Sequence, residues 1–332
     1  MKELNRLIED ITHRVNTNLR EFNTDIGAYT RSAVPLKQFL KFYAFYGITS
    51  HHPIDFHFGH SNLAGSYFLG NCHVDDSILY KTDVRGDELK RKGADFKADG
   101  VRMKLNRDER IHIRNSFLAK TLVHCYSHDP EYAEDFLIQN TISAPYANIH
   151  GAPMRGCFLG PLATVDLTTV HDCRIGAYSY IQTGELSHTQ VDPGTVWINA
   201  GYTFHFVYGF PEKELEHYVR FNPEKGVSGV FVDFVEERKP HFQRVFDVVH
   251  LDRPDRIHRG AALNRYAVLR GKTRLSDNVL VAQRAYLQNA DLGKGANAQE
   301  NCYIIDARLE GCNVTAHGAK IIRANLGEKV FV

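Results

Sequence analysis

The sequence predicts a mainly β protein in which short strands stack as a parallel β-helix. Residues 272–332 repeat with a period of 17, and this repeat places Leu275, Leu292, Leu309 and Leu326 in one column. In the same rows, a second column contains small residues, and the column two positions later contains branched aliphatic residues. A short strand has this pattern when its inner face forms one rung of a coil. Because each rung buries its aliphatic residues only against its neighbours, the repeats are predicted to form one continuous core.

Residues 1–60 are predicted to be an N-terminal helical segment. Apolar residues at Leu4, Leu7, Ile11 and Val15 follow helical spacing, which indicates an amphipathic helix over residues 1–20 that needs a partner surface. A second helix is predicted over residues 35–48, where an aromatic-rich run begins at Pro35. In the following HPIDFHFGH stretch, which contains His57, a packing loop is favoured over a ligand cluster.

Residues 61–332 are predicted to be the β-helix domain, interrupted by insertions at about 87–147 and 206–264. Triplets of a small residue, any residue and an aliphatic residue mark the rungs outside these insertions. They include Ser66–Phe68, Cys72–Val74, Thr82–Val84, Cys157–Leu159, Cys173–Ile175, Ser179–Ile181 and Thr195–Trp197. Most cysteines occupy the small position, which predicts buried thiols with no metal or disulfide role.

The two insertions are predicted to contain helices, loops and one strand. The first begins with a charged loop over residues 87–110 and continues with helices over 111–126 and 129–140. The second contains a strand-like run over residues 227–235. Insertions into a regular solenoid are where specificity usually resides, because the rungs themselves are committed to stacking.

Composition sets limits but indicates no chemistry. The chain has 332 residues, 43% of them hydrophobic, and a formal net charge of +1. This balance gives no signal for nucleic-acid binding, and no apolar run is long enough to span a membrane. Thiols without an apolar signal segment favour a reducing, cytoplasmic location.

The aliphatic triplets followed by glycine, as in Leu159-Gly160 and Ile175-Gly176, resemble those of the hexapeptide-repeat transferases. The resemblance implies a left-handed triangular β-helix that assembles as a homotrimer. It also implies transfer of an acyl group from acetyl-CoA or another acyl-CoA to an amine or hydroxyl of a small-molecule acceptor. In that family a histidine general base acts at the seam between two subunits.

Two segments are similar to γ-class carbonic anhydrases. Val84-Arg85-Gly86-Asp87 resembles their VxRGD stretch, and the segment from His150 to Cys157 resembles their HGAxxHGC stretch. The resemblance implies that His150 is a zinc ligand, but Arg155 stands at the next ligand position, so this metal site is predicted to be incomplete. Arg85 could bind substrate or could be a buried arginine held by the neighbouring carboxylates.

His171, His188 and His205 are spaced 17 apart, whereas the triplets around them are spaced 16 apart. The 16-residue register places Asp172, rather than His171, beside His188. We therefore predict His188 as general base, Asp172 as the residue that orients it, and His171 as a further catalytic residue. His150, Arg155, His205 and Arg85 are predicted to bind substrate. The alternative is that the spaced histidines are corner residues without a catalytic role.

Three classes of function follow. The first is an acyltransferase, the second is a zinc-dependent hydratase or a degenerate relative of one, and the third is a non-enzymatic scaffold.

Overall fold

The computed structural model describes residues 2–40, 43–47, 55–98, 100–125, 131–201, 204–222, 224–246, 260–264, 266–315 and 318–332. These residues form two compact units, one ending at Asp233 and the other beginning at Phe234. Each unit contains a left-handed parallel β-helix, as the sequence predicts. The predicted domain boundary at about residue 60 stays a prediction.

Short helices precede the first coil. Helix α1 (Lys2–Asn18) confirms the predicted N-terminal helix, and it is followed by a 3-10 turn (Arg20–Phe22), α2 (Gly27–Ala33) and a second 3-10 turn (Leu36–Leu40). The buried face of α1, which includes Ile11 and Val15, packs on outward side chains of the coil such as Phe117 and Phe158.

The predicted helix over residues 35–48 is wrong. In its place lie the second 3-10 turn and a strand, Phe45–Gly47. Phe45 pairs with Tyr67 in the sheet, and their rings stack with centroids 5.0 Å apart. Aromatic residues favour strands as readily as packed helices, so the tertiary contact decides the structure here.

Short strands form the three faces of the first coil and, in two cases (Asp95–Ala98 and Val101–Lys104), a separate antiparallel hairpin. In chain order they are β1 (Phe45–Gly47), β2 (Phe56–Gly59), β3 (Tyr67–Leu69), β4 (Cys72–Asp75), β5 (Ile78–Tyr80), β6 (Asp83–Arg85), β7 (Asp95–Ala98), β8 (Val101–Lys104), β9 (Arg110–Arg114), β10 (Phe117–Ala119), β11 (Leu122–His124), β12 (Asp135–Gln139), β13 (Ile142–Ser143), β14 (Asn148–His150), β15 (Met154–Arg155), β16 (Phe158–Leu159), β17 (Thr164–Asp166), β18 (Thr168–His171), β19 (Arg174–Ile175), β20 (Tyr180–Gln182), β21 (Gly184–Ser187), β22 (Gln190–Val191), β23 (Thr195–Ala200) and β24 (Phe204–Gly209).

Three sheets run along the coil. Sheet A has the order β1-β3-β6-β11-β14-β17-β20-β23-β24, sheet B the order β2-β4-β9-β12-β15-β18-β21, and sheet C the order β22-β19-β16-β13-β10-β5. Neighbouring strands are parallel except for β23 and β24, and the 16-residue spacing appears in pairs such as Ile149 with Val165. Inward side chains such as Val123, Ile149 and Val165 are fully buried and form one continuous core.

One corner of the coil explains two of the six cysteines. After sheet B the chain turns through residues with positive φ, among them Asp76, Asn115, Asn140, Gly156, Asp172 and His188. The next residue in each turn carries a hydroxyl or thiol that donates to the carbonyl two residues earlier. Ser116 donates to Arg114, and Cys157 and Cys173 make the same contact to Arg155 and His171. Cys157 and Cys173 are buried, as their position in the triplets predicts.

The helices predicted over residues 111–126 and 129–140 are wrong. Residues 110–124 form β9, β10 and β11, a complete turn of the coil, and residues 135–139 form β12 of the next turn. Residues 126–130 lie outside the described residues. The alternating burial of Ile111 and Ile113 indicates a strand. The sequence nevertheless predicts a helix, because apolar residues on both sides of the corners are also three and four residues apart. The predicted loop at 87–110 contains the antiparallel hairpin β7–β8.

The second predicted insertion also differs in part. After β24 come α3 (Glu212–Tyr218), the antiparallel strands β25 (Arg220–Asn222) and β26 (Gly226–Ser228), and α4 (Val230–Phe246). The predicted strand over residues 227–235 is therefore wrong beyond Ser228, where the chain becomes helical.

The second unit contains another coil, built from strands two or three residues long. They are β27 (Ala262–Leu263), β28 (Val268–Arg270), β29 (Arg274–Leu275), β30 (Leu280–Val281), β31 (Tyr286–Gln288), β32 (Asp291–Leu292), β33 (Asn297–Ala298), β34 (Tyr303–Ile305), β35 (Arg308–Leu309), β36 (Val314–Thr315), β37 (Lys320–Ile322) and β38 (Asn325–Leu326). Leu275, Leu292 and Leu309 pair in one column, which confirms the period of 17. Among the helices of the described residues, none is long and apolar enough to cross a membrane.

Candidate active site

A column of polar side chains runs along the outer face of sheet A in the first unit. Strand pairing places Arg85, His124, His150 and Asp166 at equivalent positions of β6, β11, β14 and β17. Their neighbours along each strand point inward and are buried. Because adjacent parallel strands lie about 4.8 Å apart, side chains in one such column are in contact.

His150 and Asp166 are the best-oriented pair in this column. His150 Nδ1 lies 2.5 Å from Asp166 Oδ1. Tyr180 donates its hydroxyl proton to the other carboxylate oxygen, Asp166 Oδ2, at 2.8 Å. Burial, followed by the contact with Asp166, raises the pKa of Tyr180 to about 12, so its hydroxyl stays protonated. With Nδ1–H bonded to Asp166, a neutral His150 has its lone pair on Nε2.

His124 lies beside His150 on the preceding turn. Their ring centroids are 4.9 Å apart, and His124 Nε2 is 3.8 Å from Asp87 Oδ1 and 3.9 Å from Glu88 Oε2. Burial lowers the pKa of His124, although the two carboxylates oppose this effect. The site thus has a buried imidazole, a second imidazole oriented by a carboxylate, and two acidic side chains at its edge.

Arg85 lies one turn before His124 in the same column, but it is a buried structural residue. Its side chain is fully buried, and its Nε and one terminal nitrogen donate to Asp83 Oδ2 at 2.8 and 2.6 Å. This geometry is that of the buried arginine which the sequence offered as the alternative to substrate binding.

His188 and Asp172 lie together at the corner between sheets B and C. His188 Nε2 is 3.9 Å from Asp172 Oδ2, and His188 Nδ1 is 3.2 Å from Glu21 Oε1. This confirms the predicted juxtaposition and the 16-residue register. Both residues have positive φ, and the His188 side chain is 58% exposed. Asp172 also accepts a hydrogen bond from Asn18 Nδ2 at 2.6 Å.

The other predicted site residues lie on different elements. His171 is on β18, opposite Arg155 and Ser187. Arg155 is on sheet B, where its guanidinium lies 4.7 Å from the centroid of the Tyr132 ring. His205 is on β24, with Nδ1 2.6 Å from Asn199 Oδ1. The three histidines spaced 17 apart therefore do not form a stack.

The sequence interpretation missed His124, Asp166 and Tyr180. Asp166 follows His150 by one 16-residue turn, so the period already found from the triplets predicts this contact when it is applied to His150. His124 could not be found in this way because an excursion separates it from His150 and changes the spacing to 26.

Comparison with known proteins places these features in context. The family model for the hexapeptide repeat including loop matches residues 101–223. Among solved structures, a putative acetyltransferase from Desulfovibrio desulfuricans is 49% identical over 99% of this chain, with a TM-score of 0.69. The match spans 69% of that protein's length. No curated protein matches the sequence significantly.

Proposed function

Because this chain belongs to the hexapeptide-repeat transferase family, we propose that it is an acyltransferase that uses His150 as its general base. The observation that carries the proposal is the contact between His150 Nδ1 and Asp166 Oδ1. A carboxylate in this position fixes the tautomer of the imidazole and stabilises the imidazolium that forms when Nε2 accepts a proton.

The chemistry requires one proton acceptor and one leaving thiolate. His150 Nε2 removes a proton from the acceptor amine or hydroxyl while that nucleophile attacks the thioester carbonyl. The carbon–sulfur bond then breaks, and the imidazolium returns its proton to the departing thiolate. His124 lies beside this centre, and burial lowers its pKa, which favours the neutral imidazole that could donate a hydrogen bond there.

The acidic edge of the site favours an amine as the acceptor. Asp87 and Glu88 lie beside His124, and carboxylates attract an ammonium group before it loses its proton. The donor in this proposal is acetyl-CoA or another acyl-CoA. We further propose a cytoplasmic homotrimer in which the neighbouring subunit completes the site, and sedimentation that finds a monomer would refute this part.

The direct test is an assay of free CoA thiol released from acetyl-CoA or a longer acyl-CoA in the presence of a panel of small amines and alcohols. We expect acceptor-dependent thiol release that falls in His150→Ala and persists in His60→Ala, an exposed histidine paired with Asp76 at another corner. Absence of release with every acceptor and donor would refute the proposal.

A zinc-dependent hydratase is the second candidate, and the adjacency of His124 and His150 is the observation that favours it. A catalytic zinc site needs three protein ligands. Within the part of the chain that is described, no three His, Cys, Asp or Glu side chains are arranged to hold a metal ion, and Arg155 lies on another sheet. The residues of one chain thus do not fit the ion. Stoichiometric zinc that is lost in His150→Ala would favour this candidate.

A further inference from the structure

A cavity lies on the outer face of sheet C, between α2, the strands of the sheet and β25. Its volume is about 130 Å³. The described residues that line it include Phe117 and Ile142 of the sheet, Tyr29 of α2 and Phe221 of β25. The acyl-transfer chemistry proposed above uses none of these residues, because His150 lies on sheet A.

The buried polar side chains in the lining already have hydrogen-bond partners. The Thr30 hydroxyl donates to the Gly27 carbonyl at 3.1 Å, and the Ser143 hydroxyl lies 2.8 Å from that of Thr121. A buried water needs about two to four polar partners to be stable. Since these hydroxyls are already bonded, the cavity favours an apolar occupant over water or a charged group.

Three aromatic rings in the lining come from three separate elements, and each packs against a further aromatic ring. The ring centroids are 4.8 Å apart for Tyr29 and Phe158, 6.0 Å apart for Phe117 and Phe39, and 5.9 Å apart for Phe221 and Tyr146. Because each of the three rings is held by such a neighbour, they do not turn freely into the empty space. The cavity is therefore preformed.

Small side chains leave the remaining space open. Ala144, which is 4% exposed, and Ala33 both line the cavity. The residue two turns before Ala144 in the same outward column of sheet C is Tyr80. The sheet thus accommodates a large side chain at the position where Ala144 has a methyl group.

We propose that this cavity binds a neutral apolar molecule of about the size of one aromatic ring. A cavity of about 150 Å³ lined by Leu, Ile and Phe side chains stays dry and binds benzene, and the volume here is similar. The surrounding rings favour an aromatic ligand, since edge-to-face contacts stabilise it beyond the area that it buries. Tyr29 is 39% exposed, so the cavity is reached from solvent at this residue.

The test is calorimetric titration of benzene into the 332-residue chain. We expect saturable binding with a Kd of about 1 mM or below, which small ligands of six heavy atoms can reach. Ala144→Leu and Ala33→Leu fill the space and should weaken the affinity by at least about 10-fold. Ala28→Leu is the matched control, because Ala28 is an exposed residue of the same helix as Ala33, and its affinity should stay within about threefold of wild type.

Pyridine tests the apolar character of the cavity in the wild-type protein alone. It has the shape of benzene but carries one hydrogen-bond acceptor. Pyridine should bind at least about fivefold more weakly, because burial leaves its nitrogen without a donor. Equal affinity for benzene and pyridine would overturn the assignment of an apolar ligand, even if the filled variants failed to fold.

The remaining outcomes separate this site from the proposed active site. His150→Ala should bind benzene as tightly as wild type, so failure of the acyl-transfer proposal would leave this result unchanged. In the wild type, benzene should also raise the temperature of thermal unfolding, because it binds the folded chain. The proposal is overturned if the wild type shows no saturable binding at millimolar benzene, or if folded Ala144→Leu and Ala33→Leu bind benzene as tightly as wild type.

Discussion

The imidazole of His150 and the carboxylate of Asp166 are in contact although 16 residues separate them in the chain, since the coil places them on adjacent strands. The hydrogen bond fixes the imidazole from its Nδ1 side and leaves Nε2 for chemistry. Tyr180 holds the same carboxylate from its other oxygen.

Replacing Asp166 with Asn should lower kcat for acyl transfer by between about 10²- and 10⁴-fold, because the amide can present the wrong hydrogen-bonding group to Nδ1 and favour the wrong tautomer. The KM for acyl-CoA should change little. Steady-state kinetics of thiol release measure both constants. Tyr180→Phe removes only the outer hydrogen bond and should have a smaller effect, and equal effects of the two variants would contradict the assigned roles.

His188→Asn should leave acyl transfer within about threefold of wild type, because His188 is an exposed corner residue and Asn tolerates the left-handed conformation. His188→Val should lower the free energy of unfolding by about 1–3 kcal/mol, since a β-branched residue is strained at positive φ. Chemical denaturation measures this difference. If His188→Asn instead lost activity by several hundredfold, the general base would be His188, as the sequence predicts.

Glu109 should make the protein less stable as the pH rises. Burial raises the pKa of this carboxyl to about 7 in the folded chain, from an unfolded value of 4.5. Its protonated form is therefore favoured in the folded state, and the stability is fully present below pH 4.5 and is lost as the pH rises through 7. Glu109→Gln should gain up to about 3 kcal/mol relative to wild type between pH 4.5 and pH 8, given about 1.4 kcal/mol for each pKa unit.

Unfolding by denaturant at several pH values measures the gain of Glu109→Gln. Glu224→Gln, at an exposed position, is the matched control and should show no such trend. A difference between Glu109→Gln and wild type that stays constant with pH would show that folding does not shift the pKa of this carboxyl.

Gly293→Ala should destabilise the second coil. The new Cβ would lie 1.9 Å from the backbone oxygen of Glu310 on the next turn, so the backbone must move, at a cost of about 1–3 kcal/mol or more. Gly327 occupies the equivalent position two turns later and has nothing within 4 Å, so Gly327→Ala is a matched control. Thermal unfolding of the two variants should differ, and equal transition temperatures would refute the predicted clash.

Cys173→Ser should cost less than about 1 kcal/mol, because Ser116 already makes the same hydrogen bond at the equivalent corner three turns earlier in the column. Burial raises the pKa of the Cys173 thiol to about 11, so it should react slowly with a thiol reagent in the folded protein. The rate of modification, compared with that in denaturant, checks this point. Rapid modification of Cys173 in the folded state would contradict the assigned burial.

The sequence predicts the coil well where each turn has a constant length. The columns of Leu275 and of Cys157 follow from side-chain size alone, since one residue of slip would turn every buried side chain outward. The prediction of a helix over residues 111–126 fails because a turn of the coil with short strands and tight corners also places apolar residues three and four apart.

The proposed site was predicted only in part. His150 was found from its motif, but its partners depend on the register across an excursion of variable length, which no local pattern encodes. His188 and Asp172 were correctly placed side by side. The sequence does not show that this corner is exposed. Both residues have positive φ, a conformation that Asp and His adopt more readily than most residues, and this explains why they occur there.

The first coil is interrupted at the same corner on successive turns, after β6 and after β11, and His124 ends the strand before the second interruption. The strands on both sides of each interruption pair directly with the strands of the neighbouring turns, so we expect the coil to tolerate exchange of these segments. If the proposed function is correct, a segment grafted from a relative should alter which acceptors bind while the imidazole pair keeps its position. A new acceptor specificity can therefore arise by exchange of the segments at this one corner, without any change in the strands of the coil.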